Sequence, residues 1–309
     1  MPVTTRHEAL VVGEALVDLT HRAGQPEIAR PGGSPLNVAI GLSRLEVSTT
    51  LATQIGDDEH GELLRDHLDE SDVDVRSLPP HRTHSATALA EIDDGGRATY
   101  TFDIEWDPSE LPEPATFGLV HVGSIGAALA PGADAVLGLA SRTHGLGLPL
   151  SFDPNVRTDV TADLVDVRRR FDALVANATM CKLSDEDAEA LRPGQSPEAT
   201  VDELLSLDAG PSLVVVTFGG EGSLIASGSH RVRRPAPTTT LADTIGAGDS
   251  FMSALLFGLV ERDWLGRDAF DIAELSWLAD LAAKATAITC SRHGADPPSR
   301  AELDPSETP

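Results

Sequence analysis

The sequence predicts an α/β fold with a mostly parallel central sheet, helices on both faces, and a small separate β element. Short apolar runs alternate with helical stretches along most of the 309 residues. Residues 85–102 differ, because two alternating runs flank the turn residues 93–96 in a hairpin pattern. Hydrophobic residues form 41% of the chain but aromatic residues only 4%, so Ala, Val and Leu must build a large core.

The predicted elements follow in chain order. Before the hairpin we expect strands at 9–13 and 49–55, and each is followed by a helix. The first helix ends near residue 45 and the second near residue 68. After the hairpin we expect strands at 119–122, 148–153, 173–175 and 212–217, and helices at 133–142, 185–191, 200–207, 250–261 and 273–287. This alternation favours parallel strands that are covered on both faces. The acidic, Pro-rich tail at 296–309 is expected to be loosely ordered.

The chain is strongly acidic. Its formal net charge is −26, and only two of its 23 basic residues are lysines. A field of that sign repels nucleic acid and anionic membranes, which excludes both as partners. It also repels ATP, so a nucleotide site must be locally positive through backbone amides, a few Arg or Lys, or a metal ion. The charge itself fits either adaptation to salt or a surface biased towards Asp and Arg.

Cysteine usage and hydropathy indicate the compartment. Cys181 and Cys290 are too few for a disulfide framework, and we expect both to be small buried hydrophobes in a reducing environment. No run reaches the ~18 consecutive apolar residues that span a bilayer. The N-terminus lacks the charged and apolar pattern of a signal peptide. These features predict a cytoplasmic protein.

Small residues near position 247 predict an anion site. Gly246, Ala247 and Gly248 lead into an apolar helical run that begins near Ser250. Small residues at a helix start let backbone N–H groups point at one spot, where the helix dipole adds positive potential. Such a nest can hold a developing phosphate charge without basic side chains. Asp249 is either an N-cap or a general base for an attacking hydroxyl.

This segment resembles the C-terminal signature of the PfkB/ribokinase-like carbohydrate kinases. Every fixed position of the form Asp-Thr-x-Gly-Ala-Gly-Asp is filled in this chain. The resemblance implies that Asp249 is the catalytic base and that the amides of Gly246, Ala247 and Gly248 form the anion hole. It also implies that Asp243 helps to form a site for a monovalent cation, K⁺ in some members.

A second signature lies far away in the sequence. Gly32, Gly33 and Asn37 fit the family's N-terminal form Gly-Gly-x-x-x-Asn-x-Ala, which contacts sugar hydroxyls in the family. Asp18 is similar to the first-strand Asp that binds two sugar hydroxyls, and a carboxylate suits that task because it accepts charge-assisted hydrogen bonds. From the residues alone, Asn37 can equally cap a helix and Asp18 can end a strand.

The hairpin resembles the family's lid. The resemblance implies one ribokinase-like kinase domain over residues 1–309, with a β lid from about 14–34 and 84–104. A lid keeps water from replacing the sugar as nucleophile. Phe102 can close over the apolar face of the sugar or pack the lid itself. Lid strands sometimes pair in this family, so a homodimer through the lid is one expectation.

Two further segments are similar to the family's nucleotide site. Thr217, Gly219 and Gly222 fit the strand and turn T-x-G-x-x-G that lines the ATP site, although a plain strand and turn explains them equally well. Lys182 and Asp185 stand where many members carry Asn-x-x-Glu, a motif linked to Mg²⁺ and phosphate. A lysine at that position would offset the charge of ATP directly.

The implied reaction transfers the γ-phosphoryl group of Mg-ATP to a primary hydroxyl of a sugar, within a three-layer fold. Fructose is favoured, because Gly-Gly-Ser-Pro-Leu-Asn and the segment Asp-Pro-Asn-Val-Arg that ends at Arg157 are typical of the fructokinase-like branch. Arg157 is expected to meet phosphate on substrate or product, unless it is a surface ion-pair residue.

Other functions stay open at this point. Ribose, 2-keto-3-deoxygluconate and nucleosides are alternative substrates. A non-catalytic sugar-binding regulator on the same fold is an alternative of another class. A Rossmann oxidoreductase is disfavoured, because the residues after the first strand, Gly-Glu-Ala-Leu at 13–16, do not supply a G-x-G-x-x-G turn.

Overall fold

The structure is a computed structural model that describes residues 8–22, 24–92, 98–161 and 163–304. Thirteen strands lie in these residues: β1 (Ala9–Val12), β2 (Leu16–Arg22), β3 (Ile28–Gly32), β4 (Thr49–Thr53), β5 (Asp74–Ser77), β6 (Ala86–Ile92), β7 (Ala98–Asp103), β8 (Leu119–Gly123), β9 (Leu150–Asp153), β10 (Met180–Ser184), β11 (Leu213–Thr217), β12 (Ser223–Ser227) and β13 (His230–Arg234).

The same residues form ten α-helices: α1 (Ser34–Arg44), α2 (Glu59–Asp69), α3 (Ser124–Ala128), α4 (Gly132–Gly145), α5 (Leu164–Val175), α6 (Asp185–Leu191), α7 (Pro197–Leu205), α8 (Ala247–Glu261), α9 (Ile272–Cys290) and α10 (Arg300–Leu303). None of these helices is long and apolar enough to cross a bilayer. Cys181 is buried and Cys290 is half-buried, and both are free thiols.

The larger sheet has nine strands in the order β13-β12-β11-β10-β9-β8-β1-β4-β5. The seven strands from β11 to β5 in this order are parallel, and β12 and β13 run antiparallel at one edge. Every residue of β1 and β4 is buried, as expected for parallel strands that are covered on both faces. The predicted α/β class with a mostly parallel sheet is confirmed.

Two apolar cores lie on opposite faces of this sheet. Along β1, Ala9 and Val11 belong to the core that contains residues of α1, α2, α8 and α9. Leu10 and Val12 belong to the other core, which contains residues of α4, α5, α6 and α7. Because successive strand side chains point to opposite faces, one short apolar strand supports both helix layers. The fold therefore has three layers, helix, sheet and helix.

A second sheet has four strands in the order β3-β2-β6-β7, and we call it the small sheet. The predicted hairpin is confirmed as β6 and β7, which are antiparallel with Ala88 opposite Phe102. Strand β2 joins it in parallel, with Asp18 beside Ala88. The predicted turn at 93–96 lies outside the described residues. The role of the small sheet as a lid stays a prediction.

The predicted strand at 173–175 is wrong. These residues form the last turn of α5, whose first turn is capped by the Asp163 side chain as it accepts from the N–H groups of Val165 and Asp166. Leu174 and Val175 are buried on the inner face of that helix. A three-residue apolar run fits a helical face as well as a buried strand. The strand at this place in the fold is β10, which begins five residues later.

The expectation of a loosely ordered tail is wrong for residues 296–304. Asp296 forms ion pairs with Arg44 and Arg292, and Leu303 in α10 is fully buried. A capping box at Ser299 starts α10. Although the tail is mostly polar, one buried leucine and several ion pairs hold it against α1 and α9.

The turn between β11 and β12 gives a test of backbone strain. Gly222 has φ 106°, and an added Cβ would clash with the carbonyl oxygen of Arg234. We expect Gly222→Ala to lower the free energy of unfolding by at least ~2 kcal/mol in urea titrations. Gly220 has no atoms near a Cβ position, so Gly220→Ala should change it by less than about 1 kcal/mol. Equal effects of the two substitutions would contradict this description of the turn.

Candidate active site

Polar side chains converge at the carboxyl ends of the parallel strands. Asp153 ends β9, Lys182 lies in β10, and Thr217 ends β11. Open α/β sheets bind ligands in the crevice outside these strand ends. A groove of about 670 Å³ lies there. Six predicted site residues line it: Arg157, Lys182, Asp185, Thr217, Gly219 and Gly248.

Asp249 connects the two signatures across the fold. Its carboxylate accepts hydrogen bonds from Ser34 Oγ at 2.6 Å and from Asn37 Nδ2 at 2.8 Å. Asp249 is in the first turn of α8, but the N-cap residue is Gly246. The N-cap of α1 is Gly33, without a side-chain cap. The capping interpretations of Asp249 and Asn37 are therefore both wrong, and the two side chains bind each other instead.

The start of α8 needs small residues. Gly246 has φ 73°, in the left-handed region that favours glycine. A Cβ added to Gly246 would lie 2.6 Å from the Cβ of Ala295. Ala247 and Gly248 follow in the first turn, and Gly248 lies exposed in the groove. The N–H of Ala247 donates to the Thr244 carbonyl oxygen at 3.2 Å. The other N–H groups of the first turn have no partners within the helix, so this end presents donors and positive potential to the groove.

Asp249 is half-buried, and its surroundings change its acidity. Burial raises the pKa of its carboxyl, and the hydrogen bonds from Ser34 and Asn37 oppose that rise. Asp153 raises the pKa further, whereas Lys182 lowers it. The net direction is upward, which makes the ionised carboxylate a stronger proton acceptor than an exposed Asp.

Lys182 is buried beside the start of α8. Its Nζ donates to Asp153 Oδ2 at 2.6 Å. A Cβ added to Gly248 would lie 3.5 Å from this Nζ, so the ammonium is next to the glycine-rich turn. Burial lowers the pKa of Lys182, but the charge and hydrogen bond of Asp153 together with the charges of Asp187 and Asp249 raise it, and the net direction is upward. The lysine is therefore a fixed positive charge at the floor of the groove.

Asp18 is exposed on the small sheet and lies within electrostatic reach of Arg157, which follows β9; we call the space between the two residues the cleft. It is the third residue of β2, so its interpretation as a strand-end turn residue is wrong. Gly32, which ends β3 next to Gly33, leaves room for it, because a Cβ on Gly32 would clash with the Asp18 carboxylate. Partial desolvation of its carboxyl raises the pKa of Asp18, and the charge of Arg157 opposes that rise. Arg157 and Asp18 therefore lie within electrostatic reach of each other.

Phe102 packs the small sheet against the main body. It is half-buried and contacts an apolar cluster formed by Leu16, Ala88 and Ile125. Its ring stacks on Tyr100, with centroids 6.2 Å apart. Ile125 belongs to α3, so the cluster joins the hairpin to the helix that follows β8. Phe102 therefore packs the small sheet, and its role over the apolar face of the sugar stays a prediction.

Two hydrogen bonds to the backbone of Gly126 were not predicted from the sequence. Glu14 Oε2 accepts from the N–H of Gly126 at 2.8 Å, and Trp106 Nε1 donates to its carbonyl oxygen at 2.9 Å. Glu14 precedes β2 and Trp106 follows β7, so the chain entering and the chain leaving the small sheet meet at one residue of α3. Burial raises the pKa of Glu14 to about 7. In the sequence, the feature that could have indicated these contacts is a Glu and a Trp that lie next to predicted strand ends.

Asp243 ties the segment before α8 to the segment after α9. Its Oδ1 accepts from the N–H groups of Thr244 at 2.7 Å and Ile245 at 3.1 Å. Its Oδ2 accepts from Gly294 N–H at 2.9 Å. These bonds, led by that of Gly294, lower the pKa of Asp243. Its role at a cation site stays a prediction, and the described residues contain no cluster of three or more His, Cys, Asp or Glu that could hold a metal.

The other residues predicted to bind the nucleotide differ in whether they line the groove. Thr217, Gly219 and Asp185 line the groove. Gly222 is the exception, because its backbone geometry and its contact with the Arg234 carbonyl already account for it. Asp187 also lines the groove, but its two oxygens accept from the backbone N–H groups of Val156 and Ser184.

Comparison with known proteins decides the family. The pfkB family carbohydrate kinase profile matches residues 6–302. The chain belongs to the PfkB family of carbohydrate kinases. It is an ATP-using sugar kinase of the fructokinase-like branch, as the sequence predicted. Fructokinase from Klebsiella pneumoniae is 32% identical over 256 residues, which are 81% of this chain and 83% of that protein.

Two further comparisons agree with this assignment. Aminoimidazole riboside kinase from Salmonella typhimurium is 28% identical over 256 residues, covering 81% of this chain and 80% of that protein. A crystal structure of a fructokinase double mutant from Vibrio cholerae, in its fructose, ADP and potassium ion bound form, superposes with a TM-score of 0.77 at 25% identity over 94% of each chain. The ribokinase-like fold expected for this PfkB kinase is thereby confirmed.

Glu14 gives a pH-dependent prediction for stability. With a pKa of about 7 in the folded state against an ordinary 4.5, the folded state holds its proton more strongly. Below about pH 4.5, protonated Glu14 therefore contributes about 3 kcal/mol to the free energy of unfolding. This contribution is lost as pH rises through 7. Glu14→Gln should remove that loss in urea titrations at pH 5 and pH 8.

The control is Glu110→Gln at an exposed position. It should leave the difference in unfolding free energy between pH 5 and pH 8 as in the wild type. A Glu14→Gln protein with the wild-type pH dependence would show that Glu14 is ionised across this range.

Proposed function

We propose that this kinase phosphorylates fructose, with ATP as phosphoryl donor and a primary hydroxyl of the sugar as acceptor. The observation that carries the proposal is the bridge from Ser34 and Asn37 to Asp249. It brings a carboxylate from the C-terminal signature against residues of the N-terminal signature, at the glycine-rich start of α8. A base, an acceptor site and an anion nest thus share one corner of the cleft.

Asp249 acts as the general base in this proposal. Its carboxylate takes the proton of the attacking hydroxyl as the oxygen approaches phosphorus in line with the leaving group. Ser34 and Asn37 fix the orientation of the carboxylate before the sugar arrives. The amides of Gly246, Ala247 and Gly248 stabilise negative charge on the transferring group, and the dipole of the 15-residue helix α8 adds to this.

The sugar lies between the small sheet and α1. Asp18 accepts from sugar hydroxyls, and the backbone at Gly32 and Gly33 borders the same space. Asn37 Oδ1 is buried and has no partner among the described residues, so it supplies an acceptor for one more hydroxyl. Arg157, on the opposite side of the cleft, meets phosphate on the substrate or product.

The nucleotide occupies the groove lined by Thr217, Gly219, Lys182 and Asp185. Gly222 shapes the turn behind it. Asp185 is the carboxylate that would hold Mg²⁺, because this ion usually binds through one or two carboxylates together with substrate phosphates. When bound, the ion would supply positive charge that neutralises the phosphates. K⁺ activation through Asp243 stays a prediction, as do a homodimer through the lid and a cytoplasmic location.

Fructose is favoured over the other sugars by the relatives. The fructokinase from Klebsiella pneumoniae is 32% identical to this chain, against 28% for the aminoimidazole riboside kinase. Because the aminoimidazole riboside kinase is also similar, a nucleoside stays an alternative substrate. Ribose and 2-keto-3-deoxygluconate are further alternatives. A non-catalytic regulator is disfavoured, because the base, its two hydrogen-bond donors and the nest are all in place.

Removal of the base tests the mechanism. We expect Asp249→Asn to lower kcat in a coupled ADP-release assay by about 10²–10⁴-fold, because the amide cannot accept the proton. The dissociation constant for the sugar, measured by calorimetry, should change by less than about threefold, because Asn preserves the shape. A variant that phosphorylates at near the wild-type rate would show that Asp249 is not the base. The exposed Asp208→Asn is the control for folding and should retain the wild-type rate.

The same assay ranks the acceptors for the wild-type enzyme. Fructose should give the highest kcat/KM in a panel with ribose, 2-keto-3-deoxygluconate and nucleosides. A higher value for a nucleoside would replace fructose by that alternative, and the assigned base would be unaffected.

A further inference from the structure

The ion pair between Asp153 and Lys182 is unusual in its depth. The side chains are 3% and 5% exposed. The two residues are neighbours on adjacent parallel strands, since β9 pairs with β10 one position earlier, at Phe152 and Cys181. Asp153 Oδ2 accepts from the lysine, and its Oδ1 is buried without a partner among the described residues.

Stability alone does not explain a pair at this depth. Desolvation of two buried charges offsets most of their attraction, and a well-packed apolar pair of similar size is often as stable. Two further carboxylates, those of Asp187 and Asp249, lie within electrostatic reach of the lysine, so the pair belongs to a charged site rather than to the apolar core. An orphaned carboxylate oxygen adds a further cost. The pair therefore needs another reason for its place in the fold.

The position of the lysine supplies that reason. Its Nζ is beside Gly248 and within electrostatic reach of Asp249. Lysine has a flexible four-carbon stem, so an unanchored ammonium at this point would sample many positions. Asp153 holds it from below, at the floor of the groove. Of the described residues that line the groove, Lys182 and Arg157 are the two basic ones that a polyphosphate could meet there.

We propose that Asp153 is a positioning residue for phosphoryl transfer, which holds the Lys182 ammonium under the Gly246–Gly248 turn so that it meets the phosphates of the nucleotide. This rests on the proposed kinase mechanism. Asp153 does not itself contact the reacting atoms; it acts through Lys182. The same carboxylate also places a negative charge near Asp249, which favours proton uptake by the base.

A set of neutral isosteres separates this role from a structural one. The variants are Asp153→Asn, Lys182→Met and the double variant, each tested for urea unfolding, ADP affinity by calorimetry, and kcat and KM for ATP. Each single variant leaves a buried charge without its partner, and its urea midpoint should fall. The double variant removes both charges at nearly constant volume, so it should recover most of the urea midpoint.

Activity should not recover with stability. We expect Asp153→Asn to weaken ADP binding and raise KM for ATP by about tenfold, because the lysine loses its anchor. The double variant should stay at least that weak, with kcat reduced further by loss of the ammonium. The sugar dissociation constant should change little in all three proteins. If the double variant recovers ADP affinity and kcat together with stability, the pair is structural and the proposal is overturned.

A control uses the same substitution in an ion pair away from the groove whose aspartate is more exposed. Asp134 pairs with the buried Arg170 between α4 and α5. Asp134→Asn should leave ADP affinity and KM for ATP at wild-type values. An ADP affinity in Asp153→Asn that equals that of this control would also overturn the proposal.

The measurement of ADP affinity by calorimetry tests the positioning role independently of the proposed kinase activity. If the wild type binds ADP but phosphorylates none of the sugars, the proposed function fails, and the effect of Asp153 on ADP binding still reports on the positioning role. If the wild type phosphorylates fructose and Asp153→Asn does so with unchanged KM for ATP, the positioning role fails and the proposed function stands.

Discussion

The hydrogen bonds from Ser34 and Asn37 to Asp249 are the contact on which the site depends. They join the first turns of α1 and α8, which lie more than 200 residues apart in the chain. Both helices pack in the same core, so the bridge is held by a rigid apolar layer rather than by loops. A half-buried carboxylate in such a setting would be costly without donors. The donors that stabilise it also aim it into the cleft.

The acidity of the chain constrains how this site can bind a polyanion. A net charge of −26 gives no general attraction for ATP. The structure concentrates positive potential instead, through the N-terminal end of α8 and through one buried lysine anchored by Asp153. Backbone amides and an ion-paired lysine change the net surface charge little. The same chain can therefore stay highly acidic outside while its groove accepts phosphate.

The sequence was sufficient for the features that are local in the chain. Hydrophobic alternation predicted the α/β class and the hairpin, and the two signatures located Gly246, Asn37 and Asp249. It could not show contacts set by strand order, because β9 and β10 become neighbours only when the sheet forms. The Asp153–Lys182 pair and the meeting of Glu14 and Trp106 at Gly126 therefore went unpredicted. Composition also misled at the tail, where a single buried leucine, Leu303, outweighs the surrounding polar residues.

The pH dependence of kcat/KM tests the role of the bridge most directly. If Asp249 is the base, kcat/KM for the sugar rises with pH as this carboxyl ionises. Ser34→Ala removes a hydrogen bond that favours the ionised form, so the acid limb should move to higher pH by about one unit. The control is Ser43→Ala on the same helix α1, where the serine hydroxyl donates to the carbonyl oxygen of Asp72 outside that helix. It should leave the limb in place. An acid limb that is identical in the wild type and in Ser34→Ala would contradict the assignment of Asp249 as a base tuned by the bridge.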